Sequence, residues 1–306
     1  MKRQRSGIFL ILAIAIIFTQ SPGAKAAQQT PATGVKTFTL GIVFQGSKEV
    51  IEANFRDFAR YVARRVSAAP DAQGRVVVAP TVWDLVKLLE KRQVDFYLES
   101  PYPTYLINRQ GAGLLLLRRW KGGRPEYRSV LFARRDGGIN NLEELRGKLI
   151  AFEDPGSTSG YFLPKLFLVG MAFKLAEKPT VEASVAPKEI GYVFANSVEN
   201  MLNWVLAKKV AAGAFSDEDF DGLGEKKRAE IAVLGETEMF PRHFASIRKD
   251  LDPALASRLE EILLFMDQDA EGRKILQKTD NTTKFDLLPG GTDMVRRKLE
   301  ALFGPH

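Results

Sequence analysis

Apolar residues recur along this chain with two different spacings, and the two spacings alternate. Short apolar runs at 37–44, 75–79 and 94–98 predict strands, because such runs are typical of strands buried on both faces. The segments 50–66 and 81–91 carry their apolar residues on one helical face and predict helices. Strands that alternate with helices indicate βαβ units around a largely parallel sheet. The pattern therefore predicts an α/β fold.

The alternation changes character in the middle of the chain. Runs at 114–117 and 128–133 predict strands that leave the first group of elements, and a short helix at 141–145 precedes a second βα series. The further predicted elements are strands at 149–152, 192–195 and 210–215, a return connection at 231–234, and helices at 197–206, 253–266 and 294–303. We therefore predict two lobes joined by a hinge. Lobe I comprises 37–128 plus 236–306, and lobe II, 129–235, is inserted into it.

The N-terminal segment predicts export. Three basic residues precede an unbroken apolar run at 8–18, and the Ala-Lys-Ala of 24–26 fits a cleavage site. A run of 11 residues is too short for a bilayer-spanning helix, which needs about 20, and this weighs against an uncleaved anchor. We predict a cleavable signal peptide at 1–26, a flexible leader at 27–36 and a periplasmic location.

Composition narrows the function classes. The chain of 306 residues has no cysteine and two histidines, so disulfides are excluded and a zinc site is not expected. The formal net charge of +7 includes four basic residues of the predicted signal peptide. The basic clusters in the rest of the chain are short, which argues against a nucleic-acid-binding protein. We expect neither a cofactor nor a metal.

The stretch from 153 to 161, Glu-Asp-Pro-Gly-Ser-Thr-Ser-Gly-Tyr, lies between the predicted strand at 149–152 and an apolar segment that predicts a helix at 162–175. The first amides of a helix lack intrahelical partners and carry a positive partial charge. Ser157, Thr158 and Ser159 would lie at that helix start, where hydroxyls donate to a bound oxyanion or simply cap the helix. Both interpretations stay open at this point.

Two other motifs are incomplete. The Gly-x-Thr-x-Gly around Thr158 resembles a hydrolase nucleophile elbow, but its centre is not serine, and His243 and His306 are the only bases of that type. The acidic run at 217–222 begins like a calcium loop, yet Arg228 stands where the last glutamate ligand belongs. Neither motif supports an enzyme or a calcium site.

Other candidate ligand-binding residues lie near predicted strand ends, where open α/β sheets bind ligands. Ser100 and Thr104 flank a Pro-x-Pro turn and are either ligand contacts or helix caps. Tyr97 and Tyr102 have polar tips for a ligand, although packing is the alternative. Asp217 follows the strand at 210–215, where it either accepts a proton from a protonated phosphorus oxyanion or is a solvated loop acid.

The segment 153–164 resembles the D-P-x-S-T-S-G-x-x-x-P pattern of the phosphate, phosphite and phosphonate substrate-binding proteins of ABC transporters. The similarity runs from about residue 38 to 288 and is supported by 94–96 with Pro101 and by the lead-in at 142–148. Further support comes from 250–253 followed by Glu271-Gly272.

The resemblance implies the two-lobe, hinged fold of a type 2 periplasmic binding protein. It implies that the hydroxyls and amides of Ser157, Thr158 and Ser159 hold the anion, that the loop 100–104 adds a contact from the other lobe, and that Asp217 is the family's later acid. One departure is that Val198 and Glu199 occupy the positions of a His-Asp pair found in phosphonate-binding members.

The expected function is therefore capture of a phosphate, phosphite or phosphonate for the membrane permease of an ABC transporter, by a monomer. A periplasmic sensory module that feeds a receptor kinase is the main alternative. A hydrolase that uses Thr158, and a ferric carrier that uses Tyr102 and Tyr105, are weaker hypotheses.

Overall fold

The computed structural model describes residues 34–67, 69 and 71–304. The predicted signal peptide and residues 27–33 of the predicted leader lie outside the described residues. The strands are β1 (Thr37–Val43), β2 (Gln73–Ala79), β3 (Phe96–Glu99), β4 (Gly113–Lys121), β5 (Glu126–Tyr127), β6 (Ser129–Arg134), β7 (Leu149–Phe152), β8 (Lys174–Glu177), β9 (Glu189–Phe194), β10 (Ala212–Ser216), β11 (Ile231–Glu236), β12 (Phe240–Pro241), β13 (His243–Arg248) and β14 (Thr282–Asp286).

The helices are α1 (Lys48–Val66), α2 (Val82–Glu90), α3 (Pro101–Arg109), α4 (Leu163–Gly170), α5 (Val198–Leu206), α6 (Asp217–Gly222), α7 (Glu225–Glu230), α8 (Pro253–Phe265), α9 (Ala270–Lys278) and α10 (Thr292–Phe303). A 3-10 turn, Leu142–Leu145, precedes β7, and a π-helical turn, Thr158–Phe162, leads directly into α4. Among the described residues, no helix combines the length and the apolar character that crossing a bilayer requires.

The first sheet has the order β14-β4-β13-β3-β1-β2. β1 pairs in parallel with β2 and β3, whereas β13 pairs antiparallel with β3 and β4. Phe58, Val62 and Val66 of α1 pack on one face of the sheet together with α8. Leu85 and Leu89 of α2 pack in a separate apolar cluster with Val94 and Tyr97. Burial of these apolar faces holds both helices on the sheet.

The second sheet has the order β11-β6-β10-β7-β9-β8. The strands β10, β7, β9 and β8 are parallel, and β6 runs antiparallel to β10 and β11. Apolar clusters cover both faces, one with Phe152 and Leu168 and the other with Phe132 and Val205. The parallel strands are therefore covered on both sides, which explains their continuous apolar runs.

Two chain segments join the sheets, and we call them the connection: 122–128, between β4 and β6, and 237–242, between β11 and β13. Within it β5 and β12 pair antiparallel, with Tyr127 opposite Phe240. The amide of Arg242 also donates to the carbonyl of Pro125 at 2.8 Å. The chain thus passes from one sheet to the other and back through a short two-stranded ribbon.

The predicted α/β class is confirmed, but several predicted elements are wrong. The first sheet is mixed and not largely parallel, because β13 enters it antiparallel between β3 and β4. The run at 114–117 belongs to β4 and stays in the first sheet, and 231–234 is part of strand β11. The helix predicted at 162–175 ends at Gly170, since Ala172 turns the backbone with φ of +63° and β8 follows.

Candidate ligand-binding site

The hydroxyl-rich segment after β7 forms the start of a helix, in the order strand, turn and helix that the sequence predicts. Ser157 precedes the π-helical turn, and its Oγ accepts a hydrogen bond from the amide of Gly160 at 2.9 Å. The same Oγ donates to Oε2 of Glu153 at 2.7 Å. Ser157 therefore caps the helix, which was one of the two interpretations of this segment, and it is also tied to a carboxylate.

Thr158 contacts the first sheet's group of elements. Its Oγ1 lies 2.9 Å from Oγ of Ser100 and accepts a hydrogen bond from the amide of Tyr102 at 3.0 Å. Pro101 is the first residue of α3 and has no N–H, so the Tyr102 amide is the first donor at the positive end of that helix. The Thr158 side chain is 2% exposed. Residues that follow β3 and β7, in different sheets, thus converge on one hydroxyl oxygen.

Aromatic rings surround this junction. The rings of Tyr102 and Phe162 are stacked with centroids 3.4 Å apart, and Phe303 of α10 contacts both. Phe240 of β12 lies edge-on to Phe303. Burial raises the pKa of the Tyr102 hydroxyl to about 12. The rings exclude water from one side of the junction, which strengthens the polar contacts beside them.

Tyr127 of the connection adds a further hydroxyl. It is 1% exposed, and its OH makes no hydrogen bond within the accepted geometry to the part of the chain that the structure describes. Burial raises the pKa of Tyr127 to about 12, although the side chains of Thr158 and Ser159 act to lower it. Buried polar groups are nearly always hydrogen-bonded, so this hydroxyl is an exception beside the segment that carries Thr158 and Ser159.

We refer to Ser100, Tyr127, Ser157, Thr158, Ser159 and the Tyr102 amide as the hydroxyl cluster. Its members carry no formal charge and lie near the starts of two helices, where the Ser157 hydroxyl donates to Glu153 and the Tyr102 amide donates to Thr158. The backbone carbonyl of Ser159 accepts from Oγ of Ser129 at 2.6 Å, which fixes the turn against β6. Such an arrangement suits a small oxygen-rich anion.

Two acids lie beside the hydroxyl cluster. Burial raises the pKa of Glu99, next to Ser100, to about 8, although the amide of Val43 donates to its Oε1 at 2.6 Å. Burial also raises the pKa of Glu153, the residue that follows β7. Both carboxyls are therefore biased toward the neutral, protonated form. A protonated carboxyl can itself donate a hydrogen bond.

The sequence-predicted acid Asp217 begins α6 and is not in a loop. Its Oδ1 accepts from the amide of Arg128 at 3.4 Å, and its Oδ2 lies 3.5 Å from Nη1 of Arg124. The neighbouring Glu218 accepts two hydrogen bonds from Arg242, at 2.7 and 3.0 Å. Because both acids pair with arginines of the connection, α6 is tied to the ribbon.

The remaining candidates lie within the packed interior. Tyr97 is fully buried with the α2 cluster, and its OH donates to Oδ1 of Asn108 at 3.0 Å. Thr104 is also fully buried, and its Oγ1 donates to the carbonyl of Glu99 at 3.4 Å. A role for either side chain in ligand binding stays a prediction. Ser100 and the amide of Tyr102 contact Thr158 directly, whereas Tyr97 and Thr104 do not.

The weaker chemical hypotheses concern His243 and the acidic run 217–222. Nδ1 of His243 lies 3.3 Å from Nη1 of the buried Arg119, and burial lowers the histidine pKa well below 6.5. No hydrogen bond joins it to Thr158 among the described residues. The residues 217–222 form α6, and within the described ranges no group of three His, Cys, Asp or Glu side chains is arranged as a metal site.

The sequence did not single out Glu153, Phe162 or Arg242. Glu153 follows a predicted buried strand directly, so the strand-end rule that selected Asp217 applies to it equally. Arg242 directly follows the two-residue strand β12, in a segment too short for hydrophobic periodicity to be read. Phe162 is the first residue of the predicted helix at 162–175, and the sequence does not indicate its partner Tyr102.

Comparison with known proteins identifies the chain's relatives. Residues 40–288 match the family model described as the ABC transporter, phosphonate, periplasmic substrate-binding protein. A curated relative, the phosphate-import protein PhnD of Mycolicibacterium smegmatis, is 23% identical over 257 residues, which are 81% of this chain and 77% of that protein.

Solved structures share the fold. XAC2383 from Xanthomonas citri, bound to chloride ion, matches with a TM-score of 0.82 at 25% identity. The match covers 87% of this chain and 97% of that chain. The same protein bound to ATP has a TM-score of 0.78, with 25% identity and coverage of 87% and 96%. PhnD1 from Prochlorococcus marinus, in complex with methylphosphonate, has a TM-score of 0.63 at 16% identity, covering 87% and 98%.

Proposed function

Because the chain belongs to the family of periplasmic substrate-binding proteins of phosphonate ABC transporters, we propose that it captures a small phosphorus oxyanion and delivers it to a membrane permease. The candidates are phosphate, phosphite and phosphonate. The family is one of substrate-binding transport proteins, in agreement with the resemblance in the segment 153–164, and the fold is the α/β fold of its structural relatives.

The observation that carries the proposal is the convergence at Thr158. Oγ of Ser100 and the amide of Tyr102, which both follow β3 of the first sheet, lie within 3.0 Å of its Oγ1, and Thr158 itself follows β7 of the second sheet. An oxyanion among Ser100, the Tyr102 amide and the Ser157–Ser159 turn would receive hydrogen bonds from both sides. Hydrogen bonds to a charged acceptor are stronger than those between neutral groups, so the anion's charge is met by donors without a counter-ion.

The proposed mechanism is closure of two lobes. We assign lobe I to 37–128 plus 236–306 and lobe II to 129–235, and we propose that the ribbon β5–β12 is the hinge. Two crossing segments of a few residues absorb a rotation with little cost to either core. A ligand that contacts both lobes binds the closed form better and therefore shifts the equilibrium toward it.

The donors on this chain suggest phosphate, phosphite or methylphosphonate ahead of larger organophosphonates, since aromatic rings close one side of the junction. The relative bound to ATP favours a second candidate, the terminal phosphate of a nucleotide. It presents the same oxygen atoms but needs space for the rest of the molecule.

The partner follows from the ligand function. We propose the permease of an ABC transporter, with the chain acting as a monomer in the periplasm after removal of residues 1–26. A receptor kinase that reads the same closure is the alternative. Deleting the gene should abolish uptake of the ligand if the partner is a permease, and should abolish a transcriptional response with uptake intact if it is a kinase.

Calorimetric titration tests the ligand class, with phosphate, phosphite, methylphosphonate, aminoethylphosphonate, sulfate and ATP. We expect binding of at least one phosphorus oxyanion, and weakening on the order of tenfold to a hundredfold in Thr158→Ala, which removes one charge-assisted hydrogen bond. Thr158→Ser should retain most of the affinity. Thr81→Ala, which removes the hydroxyl that caps α2, controls for loss of stability alone. If the wild-type protein binds none of these ligands, the proposed function is wrong.

A further inference from the structure

Glu153 is a half-buried carboxyl at the edge of the hydroxyl cluster. Its backbone is fixed on both sides, because its amide donates to the carbonyl of Gly160 at 3.0 Å and its carbonyl accepts from the amide of Asn196 at 2.7 Å. A Cβ at Gly160 would lie 2.5 Å from Oε2 of Glu153. Glycine at 160 therefore leaves the space into which this carboxyl folds, and the acid is built into the turn.

The Glu153 carboxyl is only partly satisfied. Oε2 accepts the hydrogen bond from Ser157, whereas Oε1 accepts none from the part of the chain that the structure describes. Ser157 belongs to the turn that carries Thr158 and Ser159. Glu153 is thus hydrogen-bonded to the same turn that supplies the proposed ligand donors.

The charges around Glu153 come from three neighbouring elements. Asp154 follows it in the chain and Asp219 lies on α6, and both act against its ionisation, as burial does. Arg242 acts in the opposite direction, but its guanidinium is hydrogen-bonded to Glu218 and lies over the ring of Tyr127 at 4.4 Å. No arginine or lysine among the described residues forms an ion pair with Glu153.

We propose that Glu153 makes this a site for oxyanions that carry a proton, with one proton shared between its carboxyl and a ligand oxygen. Either a P–OH group donates to the carboxylate, or the carboxylic acid donates to a P–O⁻ oxygen. The complex contains the same single proton in both cases. The inference rests on the proposed function, and it distinguishes among the anions that the site could take.

The consequence is discrimination between phosphorus and sulfur oxyanions. Phosphate keeps at least one proton throughout the neutral range, whereas sulfate keeps none, so sulfate binding requires Glu153 to take up a proton from solvent. With deprotonated Glu153 a fully ionised ligand would place two like charges in contact, which is strongly unfavourable away from water. Sulfate affinity should therefore fall by up to about tenfold per pH unit once the free carboxyl is ionised.

The experiment compares phosphate and sulfate binding by calorimetry at several pH values between 5.5 and 8.5, in the wild-type protein, Glu153→Gln and Asp154→Asn. We expect the wild type to prefer phosphate increasingly as pH rises. In Glu153→Gln the side-chain amide donates a hydrogen bond but does not titrate. The preference for phosphate over sulfate should therefore decrease on the order of tenfold or more, and the pH slope of sulfate binding should vanish. Asp154→Asn removes a neighbouring acid that caps Gly156 and raises the pKa of Glu153, so the pH slope of sulfate binding should persist but begin at lower pH.

The outcomes separate the two proposals. If the wild type binds phosphate and Glu153→Gln keeps the same phosphate-to-sulfate ratio and pH slope, the inference about Glu153 is overturned while the proposed function stands. If the wild type binds no oxyanion, both are overturned.

A second measurement needs no variant. Titrations of the wild type in buffers of different ionisation enthalpy count the protons taken up on binding. We expect about one additional proton for sulfate relative to phosphate above the carboxyl's pKa. Equal uptake for the two anions would contradict the shared proton, whether or not Glu153→Gln folds.

Discussion

The hydroxyl cluster and the connection are neighbours in this molecule, but they treat charge in opposite ways. Around the cluster the donors are hydroxyls and an amide, and the nearby acids Glu99 and Glu153 are biased toward their protonated forms by burial. In the connection, Arg242 pairs with Glu218 and Arg124 pairs with Asp217. Full charges thus hold the ribbon to α6, while the hydroxyl cluster is kept close to neutral.

The difference has a physical reason. A counter-ion inside the ligand site would have to be desolvated with the ligand and would attract any anion of suitable size, whereas fixed neutral donors select by geometry and by protonation. An ion pair in the connection loses less solvation free energy, because its side chains are partly exposed to solvent and remain paired with each other. Three experiments test this contrast, in order of the expected effect.

The largest expected effect concerns Glu99, which should make the free energy of unfolding depend on pH. In the unfolded chain this carboxyl ionises near pH 4.5, whereas burial raises its folded-state pKa to about 8. The folded state therefore binds more protons in that interval, and the contribution of Glu99 to stability is full below pH 4.5 and is lost as pH rises through 8. Relative to Glu99→Gln, the wild type should lose on the order of 4 kcal/mol of unfolding free energy.

Urea unfolding at pH 5 and pH 8.5 measures this difference. Glu90→Gln, at an exposed position at the end of α2, is the control and should follow the wild type at both values. A wild type and a Glu99→Gln variant with parallel pH profiles would mean that Glu99 is ionised in the folded protein. The region near the hydroxyl cluster would then hold a charge, and the contrast with the connection would disappear.

A smaller effect is expected for the ion pair in the connection. Arg242→Met keeps an apolar chain over the ring of Tyr127 but leaves Glu218, whose side chain is 32% exposed, without its partner. We expect a loss of about 2–3 kcal/mol in the free energy of unfolding. Arg124→Met removes the ion pair between Asp217 and Arg124, whose side chain is 43% exposed. This loss should cost less than about 1 kcal/mol of unfolding free energy. Equal losses in the two variants would show that burial does not set the strength of these pairs.

Much of the architecture could be predicted because it is encoded locally. The helices α1 and α2 carry continuous apolar faces, and Thr81 caps α2 by accepting from the amide of Asp84, as its position predicts. The helix start at Ser157–Ser159 was predicted from the same local order of strand, turn and helix. The strands β13 and β14 were missed, because their short sequences acquire strand structure only by pairing with β3 and β4, far away in the chain.

The candidate site, like the fold, could be predicted only where the sequence encodes it locally. Hydroxyl type and position identify Thr158, but its partners Ser100 and Tyr102 lie more than fifty residues away and depend on how the two sheets meet. Glu153 and Asp217 are both acids after a buried strand, and the sequence does not distinguish them. The folded chain does, since one is folded beneath Gly160 and the other faces the arginines of the connection.

The smallest effect is expected for Asp217→Asn, and it tests that distinction directly. The carboxylate lies 3.5 Å from Arg124 and 3.4 Å from the amide of Arg128, distances too long for strong bonds. Asparagine keeps an acceptor for the amide, so urea unfolding should show a loss below about 1 kcal/mol, and phosphate calorimetry should show a change in affinity of less than about threefold. A loss of affinity beyond about tenfold with unchanged stability would instead make Asp217 the acid that meets the ligand, as the sequence predicts. The connection would then share in ligand binding, and Glu153 would have to be tested again with Asp217 already replaced.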